Sequence, residues 1–290
     1  MTDASAYDWI VCMSGGKDSD ALGIWAKFKA GPARSKRYIH TVTGHDHPLT
    51  IAHLDYVAER LGITLEKIEG PYTWITLAEK KHRFPSQAVR FCTEELKVKP
   101  LAKWLEAEVD AGRVERPLVI QGIRAEESPS RATLPEWGED SSNWRNAYDC
   151  PIWRPLLKWT AAECFAIARK HGVDPNPLYK MGMRRVGCWP CIFVGKGELA
   201  NAFRSDPELL PRLREYERRV IAASKRGAAS IFAHDKVPKR FHDRTYVSEK
   251  GETFTYASID GVYAWAIDPT QRELDFGEPP TCFSQYGLCE

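Results

Sequence analysis

Residues Ser14-Gly15-Gly16-Lys17-Asp18-Ser19 join two adjacent glycines to a cation, a carboxylate and two further hydroxyls. That set suits a phosphate. Glycines let backbone N–H groups point at an anion, and a helix starting just after them adds its positive end. Lys17 supplies a mobile ammonium, and Asp18 with Ser14 and Ser19 supplies oxygen ligands for Mg2+. The spacing is not that of a Walker loop, which has a longer spacer before its Gly-Lys pair. No third glycine completes a dinucleotide fingerprint either.

Three other groups have chemistry in their side chains. Gln121-Gly122-Ile123-Arg124, followed by Arg131, offers two guanidinium groups, which match phosphate oxygens in pairs. Arg124 and Arg131 are therefore candidate clamps for a nucleotide or a sulfate-like anion; the alternative is a surface network with Glu126 and Glu127. Thr43-Gly44-His45-Asp46-His47 is a compact polar run. Cys188-Trp189-Pro190-Cys191 places two thiolates where they chelate one metal or cluster, or form a redox pair. A thioredoxin-like pair opens a helix early in a βαβ unit. This one lies late, after a loop, which favours ligands. Cys92, expected on a loop before a basic helix, is the best distant third ligand. For the fourth, Cys289 and Cys282 compete, with Cys150 behind them. Spacing alone leaves zinc and iron–sulfur both open. Cys12 and Cys164 fall within a strand and a helix and read as buried thiols.

A layered scaffold must hold these groups. Trp9 to Met13 has the bulk of a buried parallel strand, and Ala21 to Lys29 carries a helical apolar period. Strands are expected at Tyr38–Val42, Leu65–Ile68 and Pro117–Ile120, and helices at Pro48–Leu61 and 94–109. This βαβα order predicts an α/β fold with a doubly wound parallel sheet. Ligands on such sheets bind beyond the carboxyl ends of the strands, where residues 14–19, 43–47 and 122–124 all fall. From 129 to 150 the chain is rich in Ser, Pro, Asp and Asn, and a long surface loop or lid is expected. Thr160 with Glu163 forms a capping box opening a helix that ends at His171-Gly172. Asp206-Pro207 is expected to cap a charged helix reaching about residue 223, and the remainder reads as polar and turn-rich. The expected division is a nucleotide-binding α/β domain over 1–172 and a smaller, cysteine-bearing C-terminal region over 173–290.

The 290 residues are 43% apolar and 11% aromatic, enough for a sizeable core. A net charge of +2 does not by itself imply nucleic acid. Lys80-Lys81-His82-Arg83, Lys97, Lys99, Lys103 and Arg184-Arg185 are interleaved with Glu94, Glu95 and Glu106, which reads as a mixed-charge surface. No run approaches the ~18 apolar residues of a membrane span, so no membrane is expected. The start, MTDASAYDW, has neither a basic nor an apolar leader segment, and a cytoplasmic location is expected. Eight cysteines there read as thiols or metal ligands rather than disulfides.

The loop at 14–19 resembles the PP-loop of the N-type ATP pyrophosphatases, in which it grips the pyrophosphate end of ATP while the α-phosphate is attacked. Further segments resemble the phosphoadenosine phosphosulfate (PAPS) reductase family of that superfamily: Thr43-Gly44-His45, Arg90 to Pro100, Gly122 to Arg131, Arg154-Pro155-Leu156-Leu157-Lys158-Trp159, and Asn176 to Cys191. They run in family order over residues 9 to 195. The resemblance implies an adenine nucleotide alpha hydrolase-like fold with a nucleotide site of Ser14, Gly15, Gly16, Lys17, Asp18, Ser19, Thr43, Gly44, His45, Gly122, Arg124 and Arg131. On that resemblance Lys17, Asp18 and Arg124 are expected to carry the catalysis. It also implies a cluster, because cluster-bearing adenylylsulfate reductases, and the ATP pyrophosphatase-like subunits of DNA phosphorothioation systems, gather a cysteine before the basic helix and a later C-x-x-C around a 4Fe-4S centre. Cys92, Cys188 and Cys191 match that pattern.

Two departures stand out. Those reductases carry adjacent cysteines at the first position, where this chain has Phe91-Cys92, so the fourth ligand is sought at Cys289 or Cys282. They also end in Glu-Cys-Gly-Leu-His, whereas this chain ends Gln285-Tyr286-Gly287-Leu288-Cys289-Glu290. True reductases tend to lose the Lys-Asp pair of the loop. Its retention here favours ATP. The expectation is an enzyme that binds Mg-ATP, adenylates an acceptor with release of pyrophosphate, and passes sulfur through a cluster, served by a sulfur-donor or reductant protein. The alternatives are a PAPS or adenylylsulfate reductase with a terminal cysteine nucleophile, and a non-enzymatic cluster subunit on nucleic acid. A homodimer is left open.

Overall fold

The computed structural model describes residues 3–138, 150–232 and 237–269. Its central strand, β1 (Asp8–Cys12), is buried at every position. Trp9 and Val11 face one layer, Ile10 and Cys12 the other, as a strand covered on both sides requires. The chain leaves β1 through the glycine turn into α1 (Lys17–Ile24), which ends in a π-helical turn over Trp25–Lys29. The helix therefore starts earlier than its apolar period indicated, because Gly16 is its N-cap and the polar first turn belongs to it. After β2 (Ser35–Val42), α2 (Pro48–Leu61) begins with Pro at its first turn and stops at Gly62, whose φ of +58° suits glycine. β3 (Leu65–Glu69) and α3 (Trp74–Lys80) follow, the latter capped by Thr73.

Cys92 is not on a loop. It sits in the helical turn α4 (Phe91–Thr93), which runs through a π-helical turn (Glu94–Val98) into α5 (Lys99–Asp110). β4 (Pro117–Ile120) completes the central trio. Of the stretch expected as a long loop, residues 129–138 hold a short helix, α6 (Pro129–Ala132), and β5 (Trp137–Gly138), and 139–149 lie outside the described residues; β6 (Ile152–Trp153) follows. The strand order is β3-β2-β1-β4-β6-β5, parallel throughout except for the β5–β6 pair. This is the doubly wound α/β sheet expected. α7 (Ala161–Lys170) opens with the Thr160–Glu163 capping box and packs on α1.

The C-terminal part is less polar than its sequence suggests. α8 (Pro177–Lys180), α9 (Lys196–Ser205), α10 (Leu209–Ala223), the hairpin β7 (Arg244–Val247) with β8 (Thr253–Tyr256), and α11 (Ile259–Ile267) follow in order. Leu178, Leu199, Leu213 and Val262 join Trp74 and Leu77 of α3 in a second core. Asp206 does not cap α10 directly. Its backbone carbonyl accepts from Leu209 N–H at 3.0 Å, one turn ahead of the helix. No described helix is long and apolar enough to cross a membrane.

Candidate nucleotide site

The glycine turn is laced by its own side chains. Gly15 has φ +81°, and a Cβ there would lie 2.8 Å from Thr50 Cγ2, so only glycine fits. Ser19 Oγ accepts from Gly15 N–H at 2.9 Å and donates to the Gly16 carbonyl at 3.0 Å. Asn176 Nδ2 donates to the Gly15 carbonyl at 2.9 Å, and Tyr179 Oη accepts from the Lys17 N–H at 2.9 Å. The loop is thus held from behind by the segment that leads on to Cys188.

Asp18 is fully buried at the first turn of α1 and carries two cationic partners. Arg124 Nε donates to Oδ1 at 2.6 Å, and Lys17 Nζ lies 3.3 Å from Oδ2. Burial works against the Arg124 charge, but the Asp18 carboxylate outweighs it and raises the guanidinium pKa. The three groups share one net positive charge beside a helix N-terminus, a field that attracts phosphate. Arg124 is also paired with Glu126, and its N–H donates to Glu127 Oε2 at 3.0 Å. Arg131 is 1% exposed and is paired with the same Glu127. The structure thus commits Arg124 to the buried carboxylate of Asp18 in the loop and Arg131 to that of Glu127.

A cleft opens at the carboxyl ends of the strands. Ser14, Ser19, His40, Asp46, Lys97 and Gly122 are on its walls. The three motifs that topology placed at one sheet edge do meet there. Gly122 approaches so closely that a Cβ would stand 3.0 Å from the Asp18 carbonyl oxygen. Thr43 and Gly44 hold the second motif in shape. Thr43 donates through N–H and Oγ1 to Asp46 Oδ2, at 2.9 and 2.8 Å, and Gly44 has φ +67° against Thr73. His45 turns away from the cleft. Its ring stacks on Trp74 at 4.3 Å, with Nε2 3.2 Å from the Pro190 carbonyl oxygen, and burial pulls its pKa down to about 4.

His45 and Asp46 also hold the cysteine loop. Asp46 bridges to Cys188 in antiparallel fashion, and the Trp189 N–H donates to the His45 carbonyl at 2.7 Å. The Arg90 guanidinium lies over the Phe193 ring at 5.5 Å, so the turn bearing Cys92 abuts the segment after Cys191. Among the described residues, however, no three His, Cys, Asp or Glu side chains gather into a group that could hold a metal. Cys282 and Cys289 lie outside the described residues. The described residues alone do not fit a cluster.

Sequence reasoning did not single out Asn176, Tyr179 or His40, and it read Lys97, which lines the cleft, as part of a mixed-charge surface. Asn176-Pro177 offered one signal, an N-cap before a first-turn proline; its Oδ1 accepts from Leu178 N–H at 3.0 Å.

The phosphoadenosine phosphosulfate reductase domain family matches residues 8–193. An uncharacterized 37.8 kDa protein in the gpa 5′ region of Escherichia phage 186 is 35% identical over 332 aligned positions, covering 97% of this chain and 96% of that one. An adenosine 5′-phosphosulfate reductase of Burkholderia cepacia is 29% identical over 168 positions, 56% of this chain and 62% of that one. Among solved structures, a phosphoadenylyl-sulfate (PAPS) reductase from Candida auris in phosphate complex superposes with a TM-score of 0.45 at 22% identity, over 66% of this chain and 84% of that one. The match over residues 8–193 takes in the loop, the arginine strand end and the C-x-x-C, and the chain belongs to the phosphoadenosine phosphosulfate reductase domain family.

Proposed function

We propose that this chain binds Mg-ATP at the 14–19 loop and transfers its adenylyl group to an acceptor, releasing pyrophosphate. The observation that carries the reading is the Lys17–Asp18–Arg124 chain. Both Asp18 oxygens are engaged, Oδ1 by Arg124 and Oδ2 by Lys17, in the first turn of α1. Arg124 fixes Asp18, and Asp18 aims Lys17. When a triphosphate enters, the Lys17 ammonium moves to the β- and γ-phosphate oxygens, and the vacated Asp18 Oδ2 becomes a ligand for the Mg2+ that travels with the nucleotide. Lys17 and the loop amides then stabilise charge on departing pyrophosphate. Donors seated once the nucleotide is bound need no further reorganisation as charge develops in the reacting step.

A cluster on Cys92, Cys188, Cys191 and one of Cys282 or Cys289 belongs to the same proposal, with a sulfur-donor or reductant protein as its partner. Its support is the contact between the Arg90 and Phe193 segments and the thiolate donor set. Bound there, such a cluster would supply sulfide or electrons. Iron and acid-labile sulfide analysis of anaerobically purified protein tests it separately; a colourless zinc protein would exclude it.

The nucleotide reading is tested by incubating the full chain with radiolabelled ATP and Mg2+. Bound nucleotide and released pyrophosphate are expected, both lost in Lys17→Ala. Neither in the native chain would sink the proposal. Sulfite release from adenosine 5′-phosphosulfate, with no ATP turnover, would favour the activity for which the Burkholderia relative is named.

A further inference from the structure

In the β7–β8 hairpin only Tyr256 is buried. Val247 is 63% exposed on one face; Phe254 is 41% exposed on the other, where its ring stacks on Tyr246 at 5.3 Å. A two-stranded ribbon bare on both faces is marginal in water unless something extends or covers it. Its turn fixes which backbone groups are unused. The Ser248 N–H donates to the Glu252 carbonyl at 2.8 Å, and the Gly251 N–H donates to the Ser248 carbonyl at 2.9 Å. Ser248 and Glu252 are therefore a hydrogen-bonded pair, and such pairs alternate along an antiparallel ladder. With Tyr246 opposite Phe254 and Thr245 opposite Thr255, the N–H and C=O groups of Thr253 and Thr255 point away from β7. The main sheet blunts its edges: β3 carries Glu66, Lys67 and Glu69, and β5 is two residues long. The β8 edge, from Thr253 to Ala257, has neither a charge nor a proline.

We propose that β8 pairs with β8 of a second copy of this chain, antiparallel about a two-fold axis at Phe254. Thr253 then exchanges both main-chain hydrogen bonds with the partner's Thr255, and Thr255 with the partner's Thr253. Phe254 meets the partner's Phe254 at the closer, non-hydrogen-bonded spacing, so the Tyr246–Phe254 stack continues across the axis. Charge favours this register. Glu252 falls opposite the partner's Tyr256, in the row that also holds the partner's Arg244. The two exposed side chains are of opposite sign, on one face, and two strand spacings (roughly 10 Å) apart. A two-fold contact needs a self-complementary patch, and this edge is one. The β7 edge is not: pairing Thr245 with the partner's Val247 sets Asp243 against the partner's Glu249, two like charges. The hairpin lies beyond residues 8–193, which the family match covers, so the contact belongs to this chain rather than to the shared domain. It is independent of the nucleotide reading.

Sedimentation velocity of the full chain in reductant, from about 10 μM to about 1 mM, tests this. A reversible monomer–dimer equilibrium is expected, with a dissociation constant on the order of 0.1 mM, because so short an edge buries less than the roughly 1,000 Å² of a firm interface. Thr255→Pro removes an N–H that points away from β7, so it should spare the hairpin and weaken dimerisation by roughly tenfold or more. Thr245→Pro, its counterpart on the β7 edge, should dimerise as the native chain does. Phe254→Lys sets like charges across the axis, and so does Phe254→Glu; each alone should be monomeric, and an equimolar mixture should associate again. Thermal melts identify a variant that has lost its fold. If a proline variant unfolds, the Lys and Glu variants decide. A native chain that stays monomeric throughout overturns self-pairing and leaves the edge to a strand of another protein. Dimers that persist in folded Thr255→Pro, or a Lys–Glu mixture that stays monomeric, overturn the pairing through β8.

Discussion

The Tyr179 hydroxyl accepts the backbone N–H of Lys17 at 2.9 Å, although the two residues are 162 apart in the chain. That N–H is one of the first-turn donors of α1 with no partner inside the helix, so a phosphate oxygen and the phenol compete for it. Tyr179→Phe is expected to tighten pyrophosphate binding by roughly fivefold, the worth of about 1 kcal/mol for one hydrogen bond. The unliganded protein should lose about as much stability. Calorimetry and urea titration read the two effects, and weaker binding would place the hydroxyl on the ligand instead.

Asp18→Asn should be costly to the fold as well as to binding. The Asp18 and Arg124 side chains are 0% and 4% exposed, so removing the carboxylate leaves a buried guanidinium with less compensation. A loss of about 3–5 kcal/mol is expected, with Asp18→Asn/Arg124→Gln costing less than the sum of the single changes. Urea midpoints of the three variants check this; strict additivity would show that the pair does not act as a unit.

Gly44→Ala tests the second motif. At φ +67° an added Cβ would stand 2.8 Å from Thr73 Cβ, which belongs to the cap of α3 and cannot retreat without moving that helix. A destabilisation of about 1–3 kcal/mol is expected. Gly31→Ala, where nothing lies within 4 Å of the new atom, should stay within about 0.5 kcal/mol of the native protein.

Glu217 makes stability depend on pH. Its carboxyl is 5% exposed, and burial raises its pKa to about 7, against the pull of the Ile259 N–H it accepts at 2.9 Å. Asp243 and Asp260 add to the rise and Arg244 opposes it. The folded state therefore holds a proton that the unfolded chain has released, so stability is fully present below the ordinary carboxylate range and falls as pH rises towards 7. The contribution is on the order of 3 kcal/mol. Thermal melts from pH 5 to pH 8 should show a decline in the native protein that is flattened in Glu217→Gln; parallel curves would assign the decline to other groups.

The residue pattern by itself determined the parallel strands, the glycine turn between β1 and α1, the Pro48 and Thr160 helix starts, and the meeting of three motifs at one sheet edge. Each is a local property: apolar periodicity, glycine conformation and capping act within a few residues, and strand order then dictates which ends converge. α3, α11 and the β7–β8 hairpin were not legible. Their apolar faces, such as Trp74 and Val262, acquire meaning only once they pack into one core across long stretches of sequence. The two arginines were visible as phosphate-seeking groups, but tertiary structure committed them to Asp18 and Glu127. It also set Tyr179 on the Lys17 amide, and turned His40 so that its proton faces Met13. These contacts join residues remote in sequence or depend on which way a ring faces. Only folding, which brings the chain together and removes water from the polar atoms, decides who pairs with whom.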